Sequence, residues 1–455
     1  MTAVTTAPKS ADSAAIEGSS GSPKGFSWKR GGLVMIFLCL SVLLQGATYS
    51  HITSFFNVYA LEVKGISSAA YGIIMGSYCF VVVFVTPLTA KLVSLKYFRD
   101  KTLLFIAWII DSSFCLLMSL VYKLGRGNPF FLGSLTLRIF EACGCAMGCM
   151  MVYVIVGLEL NEINHIVIPI LETIYGVSVV VGPAVSGILF DVGGFPLPFW
   201  FMGGTLMALT MLGLSFFPEP RKLSPEDPAP DSVSIWTAWE FPVIVNVLCA
   251  MNAFVLISFN ESTLALQLNI KFGMSATESG MLFLFAGGTY ALSSLVFGFV
   301  SKRILDPRYF VLIGQIISLV ALTLQGPLIP VRQSKEILIL AQILLGIGSG
   351  PCYVCSYIQS LRYLSKGKES KELYAALTAI FTPATSVGCT IGPLMAGFIL
   401  DYYSYETVVA VNVSLTVAVA ILLFCTICMG TKTFKETDQA NSADRASVSS
   451  AVVKL

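Results

Sequence analysis

The stretch Ser178-Val-Val-Val-Gly182-Pro183-Ala-Val-Ser186-Gly187, followed by Asp191, is answered by Gly388-Cys-Thr-Ile-Gly392-Pro393-Leu-Met-Ala396-Gly397, followed by Asp401. Each matched position is offset by 210 residues (388 − 178). A weaker echo at an offset of 208 sets Tyr71-Gly72 against Ser279-Gly280. The chain is an internal duplication, and its two copies lie in long apolar blocks.

Of the 455 residues, 55% are hydrophobic and only 12% are charged, about half the ~25% of a soluble globular chain. A helix crosses a bilayer with about 20 apolar residues. Runs of that length are read at 31–60, 68–90, 102–122, 130–156, 167–190 and 197–217, then at 240–270, 276–300, 308–330, 336–361, 373–400 and 405–430. The repeat offset spans six of these twelve segments. The implied organisation is a disordered cytosolic N-terminus at 1–29, a six-helix bundle at 30–217, a proline-rich cytosolic linker at 218–239, a second bundle at 240–430 and a disordered cytosolic tail at 431–455. The first span begins after a long polar segment, so no cleaved signal peptide is expected.

Basic residues set the expected orientation. With both termini cytosolic, the cytosolic segments hold 21 of the 28 Lys and Arg residues. The opposite face holds six (Lys64, Lys123, Arg126, Lys271, Arg332 and Lys335), and Arg138 lies within a span. That bias follows the positive-inside rule and requires an even number of spans.

Several function classes are set aside. A net charge of +2 offers no footprint for nucleic acid. The two histidines, His51 and His165, are too far apart in the chain to suggest a histidine metal centre, and no cofactor motif is present. All twelve cysteines lie in apolar blocks. Cys352-Tyr-Val-Cys355 and Cys425-Thr-Ile-Cys428 have a redox spacing in the wrong context, and Cys143, Cys145 and Cys149 are read as small packing residues. No nucleophile–base pair or phosphate loop marks an enzyme.

Parallel repeats of six spans, related by an axis along the membrane normal, are how transporters of the major facilitator type are built. The expected fold is therefore all-α, with twelve transmembrane helices in two parallel six-helix repeats. Small residues one turn apart let helix backbones approach closely, and proline bends a helix. Gly182, Pro183, Gly187, Gly392, Pro393 and Gly397 are thus read as a conformational motif.

Gly-Pro-x-x-x-Gly in span 5 resembles the antiporter motif of drug/proton-antiporter-like members of the major facilitator superfamily, with Ser178 where that motif often has glycine. Arg138, in Leu137-Arg138-Ile-Phe-Glu141, resembles the span-4 arginine motif of the same group. Leu171-Glu172-Thr173, Thr289-Tyr290-Ala291-Leu292-Ser293-Ser294 with Phe297-Gly298, and Thr263-Leu264-Ala265-Leu266 after Glu261 look like the vesicular amine transporter family, closest to its polyamine branch. The resemblance covers roughly residues 30–430. It implies a vesicular or other endomembrane location and exchange of an organic cation for protons. Two features depart from it. Ala90-Lys91-Leu-Val-Ser94-Leu-Lys96 replaces the family's acidic loop motif, with Lys302 where its counterpart has aspartate, and span 1 carries no acid, unlike the monoamine carriers.

Ionisable groups at membrane depth are functional candidates by default. Asp111, Arg138, Glu141, Glu172 and Glu261 lie away from span ends, four acids against one base. That excess suits protons, a cationic substrate, or competition between them for one carboxylate. Arg138 and Glu141 share a helix face at i and i+3, either as a structural pair or as one opened in transport. Glu172 is read as a proton site or as a partner for Arg138, and Asp111 as bonded to Ser112 or Ser113. Asp191 and Asp401 are read as interfacial. Glu261, in the polar patch Ser258-Phe-Asn260-Glu261-Ser262-Thr263, is expected to face a central cavity. Tyr290, Tyr153 and Tyr353 offer ring faces to a cation. His51 is read as a packing residue and His165 as solvated. The expected function is secondary active transport of a polyamine-like amine in exchange for protons by a monomer in the bilayer. The alternatives are a transport-inactive receptor or scaffold, or a carrier of another small organic solute.

Overall fold

The computed structural model describes residues 28–160, 163–220, 240–301, 306–326, 328, 333–365 and 371–452. The expected N-terminal segment up to residue 27 and most of the expected linker, 221–239, lie outside the described residues. Among those described, twelve helices are long and apolar enough to cross a membrane. In the N-terminal half they are α1 (Trp28–Ser50), α2 (Ser68–Leu95), α3 (Asp100–Met118), α4 (Asn128–Glu159), α5 (Asn164–Gly193) and α6 (Pro196–Phe216). In the C-terminal half they are α7 (Phe241–Phe272), α8 (Ala276–Ser301), α9 (Pro307–Gln325), α10 (Lys335–Ser365), α11 (Lys371–Leu400) and α12 (Tyr405–Val452). The protein is a multi-pass, all-helical membrane protein built as two six-helix repeats.

Two elements differ from expectation. The first span does not run unbroken to residue 60. After Ser50 the chain passes through a 3-10 turn at His51–Ser54, a helical turn at Phe56–Val58 and a π-turn at Tyr59–Val63. Freed backbone groups at membrane depth need new partners. Here Ser186 of α5 donates to the His51 carbonyl at 2.5 Å, and Thr53 donates back to the Ser50 carbonyl at 2.9 Å. The other difference is at the chain's end. The apolar span finishes at Met429, but α12 continues to Val452, through residues expected to be disordered. Extending a formed helix needs no new nucleus, and no Gly or Pro follows Gly430.

The halves meet along two antiparallel seams, α2 against α11 and α5 against α8. The repeat motif builds both. Its first glycine packs within its own half: a Cβ on Gly182 would lie 2.9 Å from the Ala47 carbonyl oxygen of α1, and one on Gly392 would lie 2.6 Å from that of Val255 on α7. Its last glycine faces the other half. A Cβ on Gly187 would lie 2.8 Å from the Ala276 carbonyl carbon, and one on Gly397 would lie 3.0 Å from that of Ser68. Real Cβ atoms do not pack so closely to backbone, so these seams require glycine.

Each seam ends in a carboxylate that caps the opposite half. Asp191, just after the α5 motif, accepts the Thr277 N–H at 2.8 Å at the start of α8. Asp401 accepts the Ser68 and Ala69 N–H groups at 2.7 and 3.2 Å at the start of α2. A helix start leaves N–H groups without intrahelical partners and carries partial positive charge, so an aspartate there serves as cap and counter-charge. Asn57 also donates to the Ser262 carbonyl of the other half near the same end, and Cys79 of α2 bonds Cys389 of α11 farther along that seam. The expected interfacial Asp191 and Asp401 are therefore paired latches that hold this end shut.

Replacing both with alanine removes two caps of ~1 kcal/mol each. The ratio of open to closed forms should rise roughly thirtyfold. Spin labels on the exposed Val192 and Tyr402, one in each half, should then report a longer distance. An unchanged distance distribution would show that the caps do not hold the seam.

Candidate functional site

The five charges at membrane depth fall into separate environments. Arg138 and Glu141 form a salt bridge at 2.8 Å, with both side chains 1% exposed. The guanidinium also donates to the Tyr49 carbonyl of α1 at 2.6 Å, and its carbon stands 4.1 Å from the centre of the Tyr78 ring on α2. The pair is thus closed and ties α1 and α2 to α4. Asp111 does not bond to its neighbouring serines. Ser112 returns its proton to the Trp108 carbonyl at 2.6 Å, a common use of a hydroxyl in an apolar helix. The Asp111 carboxylate instead accepts from Gln45 Nε2 of α1 at 3.3 Å. Gly148 of α4 makes room for that amide, since a Cβ there would lie 3.2 Å from the Gln45 Cδ, while Gly144 lets α4 approach the α3 backbone at Asp111.

Glu172 was a candidate partner for Arg138, but it accepts a hydrogen bond from the Tyr153 hydroxyl of α4. It also interacts electrostatically with Tyr290 and Tyr353 of the other half. Tyr353 packs edge-on against Phe254 at 5.4 Å between ring centres. Of the three tyrosines named from the sequence, Tyr153 bonds Glu172, and Tyr290 and Tyr353 stand within electrostatic range of it from the other half.

Glu261 is different. Successive residues on a helix point about 100° apart, and the polar patch of α7 divides accordingly. Asn260 turns into the C-terminal half, donating to Gln342 at 2.7 Å and accepting from Gln325 at 2.9 Å, which also donates to Tyr405 at 2.7 Å. Ser258 donates to the Gly388 carbonyl of α11 at 3.3 Å. Glu261 turns toward the N-terminal half, in electrostatic contact with Tyr49, Tyr71, Cys79 and Cys389. Tyr71 and Cys79 belong to α2 and Cys389 to α11, so the carboxylate sits at a seam between the halves. Among the described residues, no side chain forms an ion pair or hydrogen bond with it. A narrow void lined by Asn57, Tyr71, Ser262 and Pro393 lies in the same seam.

His51 is buried, with Nδ1 2.6 Å from the Thr48 carbonyl and its ring edge-on to Phe199 at 4.9 Å. The His165 side chain lies outside the described residues. Cys352 and Cys355 point at the Val311 and Phe297 carbonyls as small packing groups. Among the described residues no cluster of His, Cys, Asp and Glu could hold a metal ion.

Gln45, Asn57, Gln325 and Gln342 were missed by the sequence reading, as was the capping role of Asp191 and Asp401. A signal for the caps was present: the aspartates repeat at 210 and the helix starts they cap at 208. The amides are neutral, and a search confined to charges passes over them.

Removing one partner of a buried ion pair strands the other and costs ~3 kcal/mol or more. Arg138→Gln and Glu141→Gln should each lower the thermal unfolding temperature of purified protein, and the double variant should recover part of the loss. Additive losses would mean that the two side chains act independently.

Comparison with known proteins agrees with this architecture. The family model described as Major Facilitator Superfamily matches residues 38–268 and 243–452. The MFS-type transporter SLC18B1 of Mus musculus is 27% identical over 379 residues, covering 80% of this chain and 79% of its own. Its Homo sapiens counterpart is 24% identical over 405 residues, covering 87% and 86%. Among solved structures, a bacterial homolog of the human lysosomal transporter Spinster, in an inward-facing and unoccupied conformation, superposes with a TM-score of 0.69 at 15% identity. That match covers 90% of this chain and 99% of the other. The nucleoside transporter NupG superposes with a TM-score of 0.63 at 14% identity, covering 87% and 99%. The chain belongs to the Major Facilitator Superfamily and is a membrane transporter rather than an enzyme.

Proposed function

We propose that this transporter exchanges a polyamine-like organic cation for protons by alternating access, with Glu261 as the carboxylate for which the two compete. The observation that carries this reading is the position of Glu261, an acid that has no ionic or hydrogen-bonding partner among the described residues and stands at a seam between the halves. Charge at membrane depth is costly unless neutralised. A proton or a substrate ammonium can each neutralise Glu261, and binding of one displaces the other. The acid excess argues against an anionic solute, because Arg138, the base at membrane depth, is already held by Glu141.

The basic-residue bias supports an orientation with both termini cytosolic, so the latched end faces the lumen or exterior. The resemblance to vesicular amine carriers supports an endomembrane location. One chain supplies both halves of the pathway, which is consistent with a monomer. In each cycle the glycine seams and aspartate caps would part as the opposite ends close.

The test is uptake of labelled spermine, spermidine and a monoamine into proteoliposomes under an imposed pH gradient. Wild-type protein should accumulate amine, and collapse of the gradient should abolish accumulation. Glu261→Gln keeps the shape but loses the charge, so uptake should fall at least tenfold, the effect of losing one charge-assisted contact of ~1.5 kcal/mol or more. Full uptake by the correctly folded variant would remove Glu261 from the mechanism. Failure of wild-type protein to move any amine would overturn the function itself.

A further inference from the structure

We propose that Glu172 and the tyrosines around it form a second ammonium site, set so far from Glu261 that the two together select linear polyamines by length. This rests on the amine-transport reading above and adds to it a second binding point and a rule of specificity.

The site is built from both halves. Tyr153 of α4 donates its hydroxyl to Glu172 of α5, which orients the carboxylate and leaves it acceptor capacity for another donor. The packing register brackets Glu172 between Tyr290 and Tyr353, with Tyr290 about five residues of rise to one side of it and Tyr353 about two to the other. A Cβ on Gly287 of α8 would lie 3.1 Å from Cβ of Val180 on α5, and the helices are antiparallel. Eight residues below Val180 on α5 is therefore level with about residue 295 of α8, beyond Tyr290. On α10, which runs parallel to α8, a Cβ on Gly350 would lie 2.9 Å from the Ser294 nitrogen, so Tyr353 is level with about residue 297 of α8. Glu172 and Tyr153 are exposed side chains rather than core. An acid edged by tyrosine ring faces suits an ammonium, which gains from both the charge and the rings.

The separation from Glu261 follows from the two-fold repeat. Asp191 and Asp401 cap matching helix starts and so lie at matching heights. A Cβ on Gly392 of α11 would lie 2.8 Å from the Phe259 nitrogen of α7, which puts Glu261 near the height of Leu394, seven residues before Asp401 (401 − 394). Glu172 is nineteen residues before Asp191 (191 − 172). The difference of twelve residues, at 1.5 Å of rise each, is about 18 Å along the bilayer normal. The terminal nitrogens of spermine are separated by thirteen bonds, which at ~1.2 Å per bond of extended chain is about 16 Å, and a hydrogen bond of ~2.8 Å at each end lets it span the gap. A monoamine can engage one carboxylate at a time, and a short diamine cannot reach both.

The experiment measures KM in proteoliposomes for spermine, spermidine, a monoamine and a series of α,ω-diamines of increasing length. For wild-type protein, KM should fall with diamine length to a minimum near a 16 Å span and rise beyond it. Glu172→Gln should cut the preference for spermine over the monoamine by about tenfold, the worth of one charge-assisted contact. Tyr153→Phe should shift the preference the same way. A monotonic fall of KM with chain length, or a Glu172→Gln preference equal to that of wild type, would overturn the two-point site while leaving Glu261 and amine transport standing. An equal loss for every amine would also overturn it, by showing a uniform structural role. Wild-type protein that moves no amine would instead overturn the function on which this proposal rests.

Discussion

A charge inside a bilayer must be neutralised, and the internal arrangement of this transporter follows from how each charge meets that demand. Arg138 and Glu141 neutralise one another and, by also holding a carbonyl of α1 and a ring of α2, fix three helices of the N-terminal half. Asp111 draws a donor from α1 through the space that Gly148 leaves open. Glu172 takes a tyrosine hydroxyl. Among the described residues Glu261 meets none of these solutions, and it stands at a seam between the halves. A partner missing from the protein is one that a substrate or proton can supply.

The seams explain why such a site can be exposed to alternate sides. Across glycine, helix backbones touch without interlocking side chains, so the halves can separate without unpacking their own cores. Among the bonds that hold them are two aspartates, each at the end of one repeat's motif, capping the first turn of a helix in the other half. The contacts are the same in both copies because the copies arose as one motif. Each cap is modest in energy, which is what a gate requires. A latch worth many times thermal energy would hold one state permanently.

Much of this was legible in the chain. The twelve spans followed from apolar length, and the repeat at 210 gave the two halves and located the glycine seams. The ion pair of Arg138 and Glu141 could be read from helical spacing alone. Other features depended on information that periodicity does not carry. Asp111 looks toward its adjacent serines in sequence, yet serine in an apolar helix bonds its own backbone, and the acid's partner, Gln45, lies 66 residues away. The break after Ser50 has no proline or glycine to announce it and is sustained by Ser186 of another helix. Glu172 and Tyr153 are 19 residues apart and meet only because α4 and α5 are adjacent. The aspartate caps were visible as a repeat, but their role needed the antiparallel approach of α5 to α8 and α11 to α2.

The claim on which the transport account turns is that Glu261 binds cation and proton in competition. Equilibrium binding of spermine to purified protein by titration calorimetry, across a series of pH values, tests it directly. The account predicts that affinity falls as pH falls, that binding releases a proton at acidic pH, and that Glu261→Gln removes both the pH dependence and most of the affinity. Binding of equal strength and equal pH dependence in the folded Glu261→Gln variant would contradict it.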